Sequence, residues 1–109
     1  MAKTDALLGA LDLLVLKALA RQGQLHGYGI MTAIEQASGE ALRVEEGSLY
    51  PALHRMEEAG LVAATWITKE NGKRSRVYEL TRAGRQELVT EGERWIAVSN
   101  TIRRVLRMA

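Results

Sequence analysis

The basic side chains of this chain are concentrated between Lys69 and Arg85, and such a cluster can bind an anionic partner. The stretch carries six cations against two acidic residues, Glu70 and Glu79. The cations are Lys69, Lys73, Arg74, Arg76, Arg82 and Arg85. Residues 1–60 carry a net charge of −3 and residues 61–109 one of +5. Nucleic acid is the commonest partner of a local basic cluster; a solubilising surface loop is the alternative.

The residue types and their spacing give little indication of a catalytic site. Ser48 and His54 are the closest Ser-His pair, but on one helix they lie about 240° apart and cannot hydrogen-bond. The chain has no cysteine and two histidines, whereas zinc usually takes three or four protein ligands. It also has no phosphate-binding loop and no dinucleotide glycine motif. We therefore predict no enzyme activity, no metal and no cofactor.

The length of 109 residues fits one compact core and is short for two. No apolar run reaches the about 18 residues of a membrane span, since Lys17 interrupts the longest stretch, Leu13 to Ala20. The N-terminus has no cleavable signal pattern. We expect a soluble, cytoplasmic protein without a membrane partner.

Hydrophobic spacing and turn residues predict the order helix, helix, helix, hairpin, long helix. The predicted elements are a helix ending near residue 21, helices at about 26–38 and 47–59, strands at 61–68 and 74–80, and a last helix from 82 to about 108. Asn71-Gly72 predicts a type I′ turn between the strands, Pro51 is expected in the first turn of its helix, and Thr81 is expected to cap the last helix.

This order is typical of a winged helix-turn-helix, in which the third helix is the recognition helix and the hairpin is the wing. The predicted fold class is mainly α (α+β), a winged helix-turn-helix with a β-hairpin wing and an added C-terminal dimerisation helix. The expected division is a DNA-binding domain at residues 1–80 and the dimerisation helix at 81–109. The basic cluster falls on the wing, which favours DNA binding over a solvated loop.

Helical spacing predicts two faces for the recognition helix. The apolar face, which is expected to pack in the core, carries Leu49, Leu53 and Met56, and the other face carries the polar groups. The outward or bordering groups are Ser48, Tyr50, Pro51, His54 and Arg55, and these are the predicted DNA ligands of the helix. Ser48 and Tyr50 suit phosphates, whereas His54 and Arg55 can donate to guanine. The alternatives are a core position for Tyr50 and plain solvation for His54 and Arg55.

In the wing, Lys73, Arg74 and Arg76 can reach backbone phosphates or the minor groove. Such contacts supply affinity but little sequence information. Arg74 and Arg76 share one face of their strand because side chains alternate with a period of two.

The last helix carries an apolar seam with heptad spacing that is interrupted by Glu91. Its members are Leu88, Trp95, Val98, Ile102 and Val105. Because the core of a winged domain is complete without this helix, the seam predicts a homodimer interface, shared with the first helix. The alternatives are packing on the helix's own domain and an interfacial membrane helix.

Five parts of the sequence, which together span nearly the whole chain, resemble the PadR family of bacterial transcriptional regulators, in its short class with one C-terminal helix. They are Leu-Leu-Gly-Ala-Leu-Asp-Leu-Leu-Val-Leu at 7–16, His-Gly-Tyr-Gly-Ile at 26–30, Glu-Glu-Gly-Ser-Leu-Tyr-Pro-Ala-Leu at 45–53, Tyr-Glu-Leu-Thr-Arg-Ala-Gly at 78–84 and the helix that carries Trp95. The resemblance implies a homodimeric, effector-relieved repressor that binds double-stranded DNA at a palindromic operator. Trp95 matches a tryptophan that stacks on flat ligands between subunits in some relatives, so a small aromatic or hydrophobic effector is a possible partner; a tryptophan of the dimer core without a ligand is the alternative. The alternative function is a winged-helix module that binds proteins and not DNA.

Overall fold

The computed structural model describes the backbone of residues 3–108 and the side chains of residues 10–108. Its elements in chain order are α1 (Lys3–Gln22), β1 (Leu25–His26), α2 (Gly27–Ala37), α3 (Glu46–Glu58), β2 (Val62–Thr68), β3 (Arg74–Leu80) and α4 (Arg82–Leu106). The strands form one antiparallel sheet in the order β1-β3-β2. Three helices, a hairpin and a long last helix follow one another as predicted, and the β3 strand has the predicted bounds.

The short strand β1 was not predicted from the sequence. It pairs Leu25 with Tyr78 and His26 with Val77 of β3. Two residues are too few to show the alternating pattern of a strand. Whether they form a strand therefore depends on their pairing with β3 and not on their own sequence. The wing therefore has a three-stranded base and, beyond Val77, an outer part of two strands.

The tip of the wing differs from the predicted type I′ turn, which needs a positive φ at both central residues. Only Gly72 has a positive φ there, of 83°. Its N–H donates to the Lys69 carbonyl at 2.9 Å, and the Lys69 N–H donates to the Lys73 carbonyl at 2.8 Å. The connection is thus a type I turn followed by a glycine in the left-handed region, which is the usual three-residue hairpin loop.

The core forms around α1, which contacts α2, α3, α4 and β3. Its buried face comes from Leu11, Val15, Leu16, Ala18 and Leu19. From α3, the predicted stripe of Leu49, Leu53 and Met56 is buried together with Ala52. Because these residues are buried, the opposite side of α3 faces away from the core.

The start of α4 is fixed to the turn between α3 and β2. Thr81 caps the helix as predicted, since its hydroxyl oxygen accepts from the Gly84 N–H at 3.0 Å and donates to the Gly60 carbonyl at 2.6 Å. Gly84 lies so close to this turn that a Cβ there would collide with the Leu61 carbonyl oxygen. Leu88 packs against the core, whereas Ile96 is 64 % exposed. The division of the chain at residue 80 stays a prediction.

Candidate nucleic-acid interface

The outward face of α3 carries the side chains that the sequence predicted as DNA ligands. Tyr50, Pro51, His54 and Arg55 are exposed, and Ser48 is half-buried in the first turn. Because α3 begins at Glu46, Pro51 is in the second turn and not the first. A proline there has no N–H to donate to the carbonyl four residues back.

Tyr50 lies across the start of α2. A Cβ added to Gly27 would meet the Tyr50 hydroxyl and would lie 2.7 Å from the carbon that carries it. Glycine at position 27 therefore lets the tyrosine ring approach the backbone of α2. Tyr50 is still 44 % exposed, so it lies at the border between core and surface, as the spacing predicted.

The start of α2 is itself held by His26, whose Nδ1 accepts from the Gly29 N–H at 3.0 Å. This is an N-cap bond, which satisfies a backbone donor that has no partner within the helix. Tyr28, in the first turn of α2, is 68 % exposed, and its ring stacks on that of His26 with the centroids 6.5 Å apart.

Two of the predicted base-reading groups on α3 have acidic partners within the chain. The Arg55 guanidinium donates to Asp12 of α1 at 2.8 Å, and His54 lies 3.6 Å from Glu58 one helical turn further on. Both side chains are well exposed, at 60 % and 72 %. Ion pairs this exposed exchange readily with other partners because they contribute little free energy.

On the wing, Arg74 lies over the exposed indole of Trp66, with the guanidinium carbon 4.7 Å from the ring centroid. The two residues are on neighbouring strands, where Trp66 is directly opposite Arg76. Lys73 is exposed at the tip, and its N–H is held by the Asn71 side chain at 3.0 Å. Arg74 and Lys73 thus keep their charged groups at the surface.

Arg76 is placed differently from the other two wing cations. Its Nη2 donates to Glu57 of α3 at 2.8 Å, and its guanidinium carbon is 5.8 Å from the ring centroids of both Trp66 and Tyr78. Burial raises the pKa of Tyr78 above its usual value, and Glu57 and Tyr50 add to the rise while Arg76 opposes it. Arg76 is therefore tied to α3 by an ion pair, and its side chain stays partly exposed, at 39 %.

A cleft of about 540 Å³ brings α2, α3 and the wing together. It is lined by His26, Gly27, Tyr28, Tyr50, Lys69, Arg74, Ser75, Arg76 and Tyr78. Of the predicted ligands it joins Tyr50, Arg74 and Arg76, whereas His54 and Arg55 are not among its lining residues. Sequence reasoning missed Tyr28, which lines this cleft, and Trp66, whose ring lies under Arg74 on the wing. The sequence did offer a signal for both residues. Tyr28 is an aromatic residue next to a predicted turn, and Trp66 is one on the strand opposite the basic strand of the hairpin.

The predicted dimer residues lie along α4 and at a groove between α1 and α4. The groove measures about 650 Å³ and includes Leu13, Leu14, Leu88, Trp95 and Ile96. Further along α4, three of the predicted interface side chains are about half exposed in the part of the chain that the structure describes. They are Val98, Ile102 and Val105, exposed by 43 %, 54 % and 57 %.

Glu91, which interrupts the seam, is paired with Arg94 at 2.8 and 3.0 Å. The hydrogen bonds from Arg94 lower the pKa of the Glu91 carboxyl below its usual value. The interruption is thus a local ion pair at the helix surface. On the other side of the pair, Val98 and Trp95 line a small depression with Arg94.

Among the described side chains, those of residues 10–108, no group of three or more His, Asp or Glu residues is placed to hold a metal ion. No helix within residues 3–108 has the length and apolarity needed to cross a membrane.

Two related proteins are similar in sequence to most of this chain. A 37.1 kDa protein in transposon TN4556 of Streptomyces fradiae is 46 % identical over 91 residues, which are 84 % of this chain but 24 % of that protein. A transcriptional regulator of Mycobacterium tuberculosis is 37 % identical over 87 residues, 80 % of this chain and 75 % of the relative.

Solved structures share the fold. A PadR-like transcriptional regulator from Bacillus cereus superposes with a TM-score of 0.80 at 27 % identity, over 96 % of this chain and 99 % of its own. PadR of Bacillus subtilis in complex with operator DNA gives a TM-score of 0.66 at 26 % identity, over 74 % of this chain and 45 % of its own. The model of the family described as "Transcriptional regulator PadR-like family" matches residues 15–90. The chain therefore belongs to the PadR-like family of transcriptional regulators.

Proposed function

We propose that this chain is a homodimeric repressor that binds a palindromic DNA operator through α3 and the wing and is released by a small effector. It would act in the cytoplasm, where the operator DNA is. The observation that carries the DNA-binding part is the cleft that joins Tyr50 of α3 with Lys69 and Arg74 of the hairpin. Binding of operator DNA by PadR of B. subtilis, named in its structure, supports the same role here.

In this proposal α3 lies in the major groove with its N-terminal half toward the bases. Ser48, Tyr50 and Pro51 are on that half, and His54 and Arg55 lie one turn further on. Lys73 and Arg74 reach the neighbouring phosphates, because the hairpin holds their charges at the surface next to the cleft. The helix would supply sequence preference and the wing would supply affinity.

Salt dependence of binding tests these roles. Fluorescence anisotropy of a labelled duplex, titrated at several salt concentrations, gives the slope of log affinity against log salt. We expect Lys73→Ala and Arg74→Ala each to reduce that slope by about 0.9, the value for one lost phosphate contact. Arg104→Ala on α4 is the matched control and should leave the slope unchanged. Absence of wild-type binding near 0.15 M salt, or identical slopes for all four proteins, would contradict the proposal.

The dimer part of the proposal rests on the uncovered apolar side of α4. A helix of 25 residues is about 37 Å long, and only its first turns have a core to pack on. Val98, Ile102 and Val105 continue from Trp95 along one side, which a second copy can cover in the manner of a heptad seam. Two recognition helices related by a two-fold axis would then fit half-sites about 34–36 Å apart.

The effector part rests on Trp95 and the groove beside it. The groove has an apolar floor from Leu13, Leu14 and Leu88, and an indole offers a flat face for stacking. Because the chain has two tryptophans, a Trp66→Phe protein reports Trp95 fluorescence alone. Saturable quenching by a flat aromatic compound, weakened by Leu13→Ala in the groove beside Trp95, would support an effector site. No quenching across a panel of such compounds would favour Trp95 as a dimer-core residue without a ligand.

A further inference from the structure

The wing leaves the three-stranded sheet at the level of Arg76. The last pair of β1 with β3 joins His26 to Val77, so Arg76 and its cross-strand neighbour Trp66 are the first residues of the two-stranded part. A two-stranded ribbon is marginally stable alone. Its direction relative to α3 therefore needs a contact from outside the ribbon.

Arg76 makes that contact. Its Nη2 is 2.8 Å from Oε2 of Glu57 in the last turn of α3, and the two side chains are only 39 % and 30 % exposed. The guanidinium also lies 5.8 Å from the ring centroids of Trp66 and Tyr78, within the range of cation–π attraction. These partners belong to α3, β2 and β3, so one side chain connects three elements.

The same geometry makes Arg76 a poor phosphate ligand. An arginine that binds a phosphate frequently offers two parallel N–H donors to it. In Arg76, Nη2 is taken by Glu57, and Nε is buried without an acceptor in the described part of the chain. Arg74, on the same face of β3, stacks on Trp66 at 4.7 Å and has no ion pair within that part. The two arginines, which the sequence predicted for the same task, are therefore in different environments.

We propose that Arg76 and Glu57 are positioning residues: their ion pair holds the wing against the C-terminal turn of α3, so that wing and recognition helix meet one DNA duplex together. This inference rests on the proposed DNA binding. By its charge alone, Glu57 would repel DNA. In this proposal it favours DNA binding instead, because it holds Arg76 and with it the wing. The proposal also removes Arg76 from the set of direct phosphate ligands.

The test uses Glu57→Gln, Arg76→Gln and the double variant, with Arg74→Gln as the matched control, in anisotropy titrations of operator DNA over a range of salt. A positioning pair predicts that each single change weakens binding about three- to tenfold and that the double change weakens it no further, since coupled residues are non-additive. The salt slope should stay at the wild-type value in all three. Arg74→Gln should reduce the slope by about 0.9.

Other outcomes overturn the inference. A direct phosphate contact by Arg76 predicts that Arg76→Gln reduces the slope by about 0.9 and that Glu57→Gln binds DNA as well as or better than the wild type. Unchanged affinity in both single variants means that the pair does not position the wing. Circular dichroism of each variant confirms that a weakened protein is still folded.

A measurement without DNA separates this inference from the proposed function. In a Trp95→Phe background, Trp66 is the only tryptophan, and acrylamide quenching reports its exposure. Release of the wing by Glu57→Gln or Arg76→Gln should increase the quenching, whereas Ala63→Ser, on the other face of β2, should not. If the wild type binds no DNA, the proposed function fails. Unchanged quenching in the Glu57→Gln and Arg76→Gln proteins would show, independently of DNA, that their ion pair does not hold the wing.

Discussion

Arg55 of the recognition helix and Asp12 of α1 form an ion pair in which the guanidinium Nη2 is 2.8 Å from the carboxylate Oδ1. The pair links the face predicted to read DNA with the helix that carries Leu13 and Leu14 of the α1–α4 groove. In the proposed complex Arg55 binds DNA, and Asp12 then loses its partner. The proposal therefore makes Asp12 a competitor of DNA for the same cation.

Replacement of Asp12 by Asn removes this competitor and one negative charge near the DNA. We expect DNA to bind more tightly by a factor of about 1.4 to 5, which corresponds to the 0.2–1 kcal/mol of an exposed ion pair. Anisotropy titration at fixed salt measures the change. Glu40→Gln, in the exposed loop after α2, is the charge-matched control, and equal affinities of the two variants would contradict the competition.

Replacement of Arg55 by Ala should reduce sequence preference. One good bidentate contact to a base is worth about 1–3 kcal/mol of discrimination, so the ratio of affinities for operator and scrambled DNA should fall by about fivefold or more. Competition titrations with the two duplexes provide that ratio. Equal loss of affinity for both duplexes would make Arg55 a phosphate ligand instead.

The seam of α4 is tested by a charge at its exposed centre. Ile102→Glu changes a side chain that is 54 % exposed in one chain, so it should not unfold the protein. In a dimer it places a carboxylate in an apolar contact, which costs several kcal/mol unless the group finds a partner. Light scattering after size exclusion should show about twice the 12.0 kDa chain mass for the wild type and the chain mass for the variant.

Ala97→Glu is the control for this experiment, because position 97 is on the opposite side of α4 from Ile102. It should leave the mass at that of the dimer. A wild type of 12.0 kDa, or a dimeric Ile102→Glu protein, would show that the seam is not the interface.

Two glycines of α4 should respond in opposite ways to alanine. A Cβ at Gly84 would collide with the Leu61 carbonyl oxygen, whereas one at Gly92 would be 4.0 Å from the Leu13 side chain. Gly84→Ala should lower the free energy of unfolding by about 2–3 kcal/mol, as overpacking does. Gly92→Ala should be neutral or stabilising by up to about 1 kcal/mol, since alanine favours helix. Urea unfolding measures both, and equal stabilities would contradict the close approach at Gly84.

Tyr78 predicts a loss of stability at alkaline pH. Burial raises its pKa above the usual 10.0, so above that pH the unfolded chain releases a proton that the folded protein still holds. By linkage, the contribution is complete below about pH 10 and is lost as the pH rises through the folded pKa. Absorbance at 295 nm should show one of the three tyrosines ionising last. Tyr78→Phe should remove that step, and its persistence would assign it to another tyrosine.

Much of this fold could be predicted because its signals are local. The stripe of Leu49, Leu53 and Met56 and the cap at Thr81 depend on residues a few positions apart. The family resemblance, the fold class and the assignment to regulators rather than enzymes are confirmed by the family match and the solved structures. The strand at Leu25–His26 could not be predicted, since it depends on pairing with Val77 and Tyr78, some fifty residues away.

The site was less predictable for the same reason. The spacing along β3 predicts that Arg74 and Arg76 share one face of the strand. It does not show that Glu57 of α3 forms an ion pair with Arg76 and not with Arg74. Spacing along α3 turns Arg55 outward, but the carboxylate that receives it belongs to α1. Which cations are free to bind DNA is thus decided by contacts between elements, whereas the presence of a basic wing is visible in the sequence alone.

The most direct test of the account is selection from a random-sequence DNA pool at about 0.15 M salt, followed by sequencing of the bound fraction. A homodimer that reads DNA through α3 predicts an enriched inverted repeat with half-sites about one helical turn apart. Binding without an enriched motif would leave only the electrostatic attraction of the wing. That result, or no binding, would contradict a sequence-specific repressor and favour a winged-helix module whose partners are proteins.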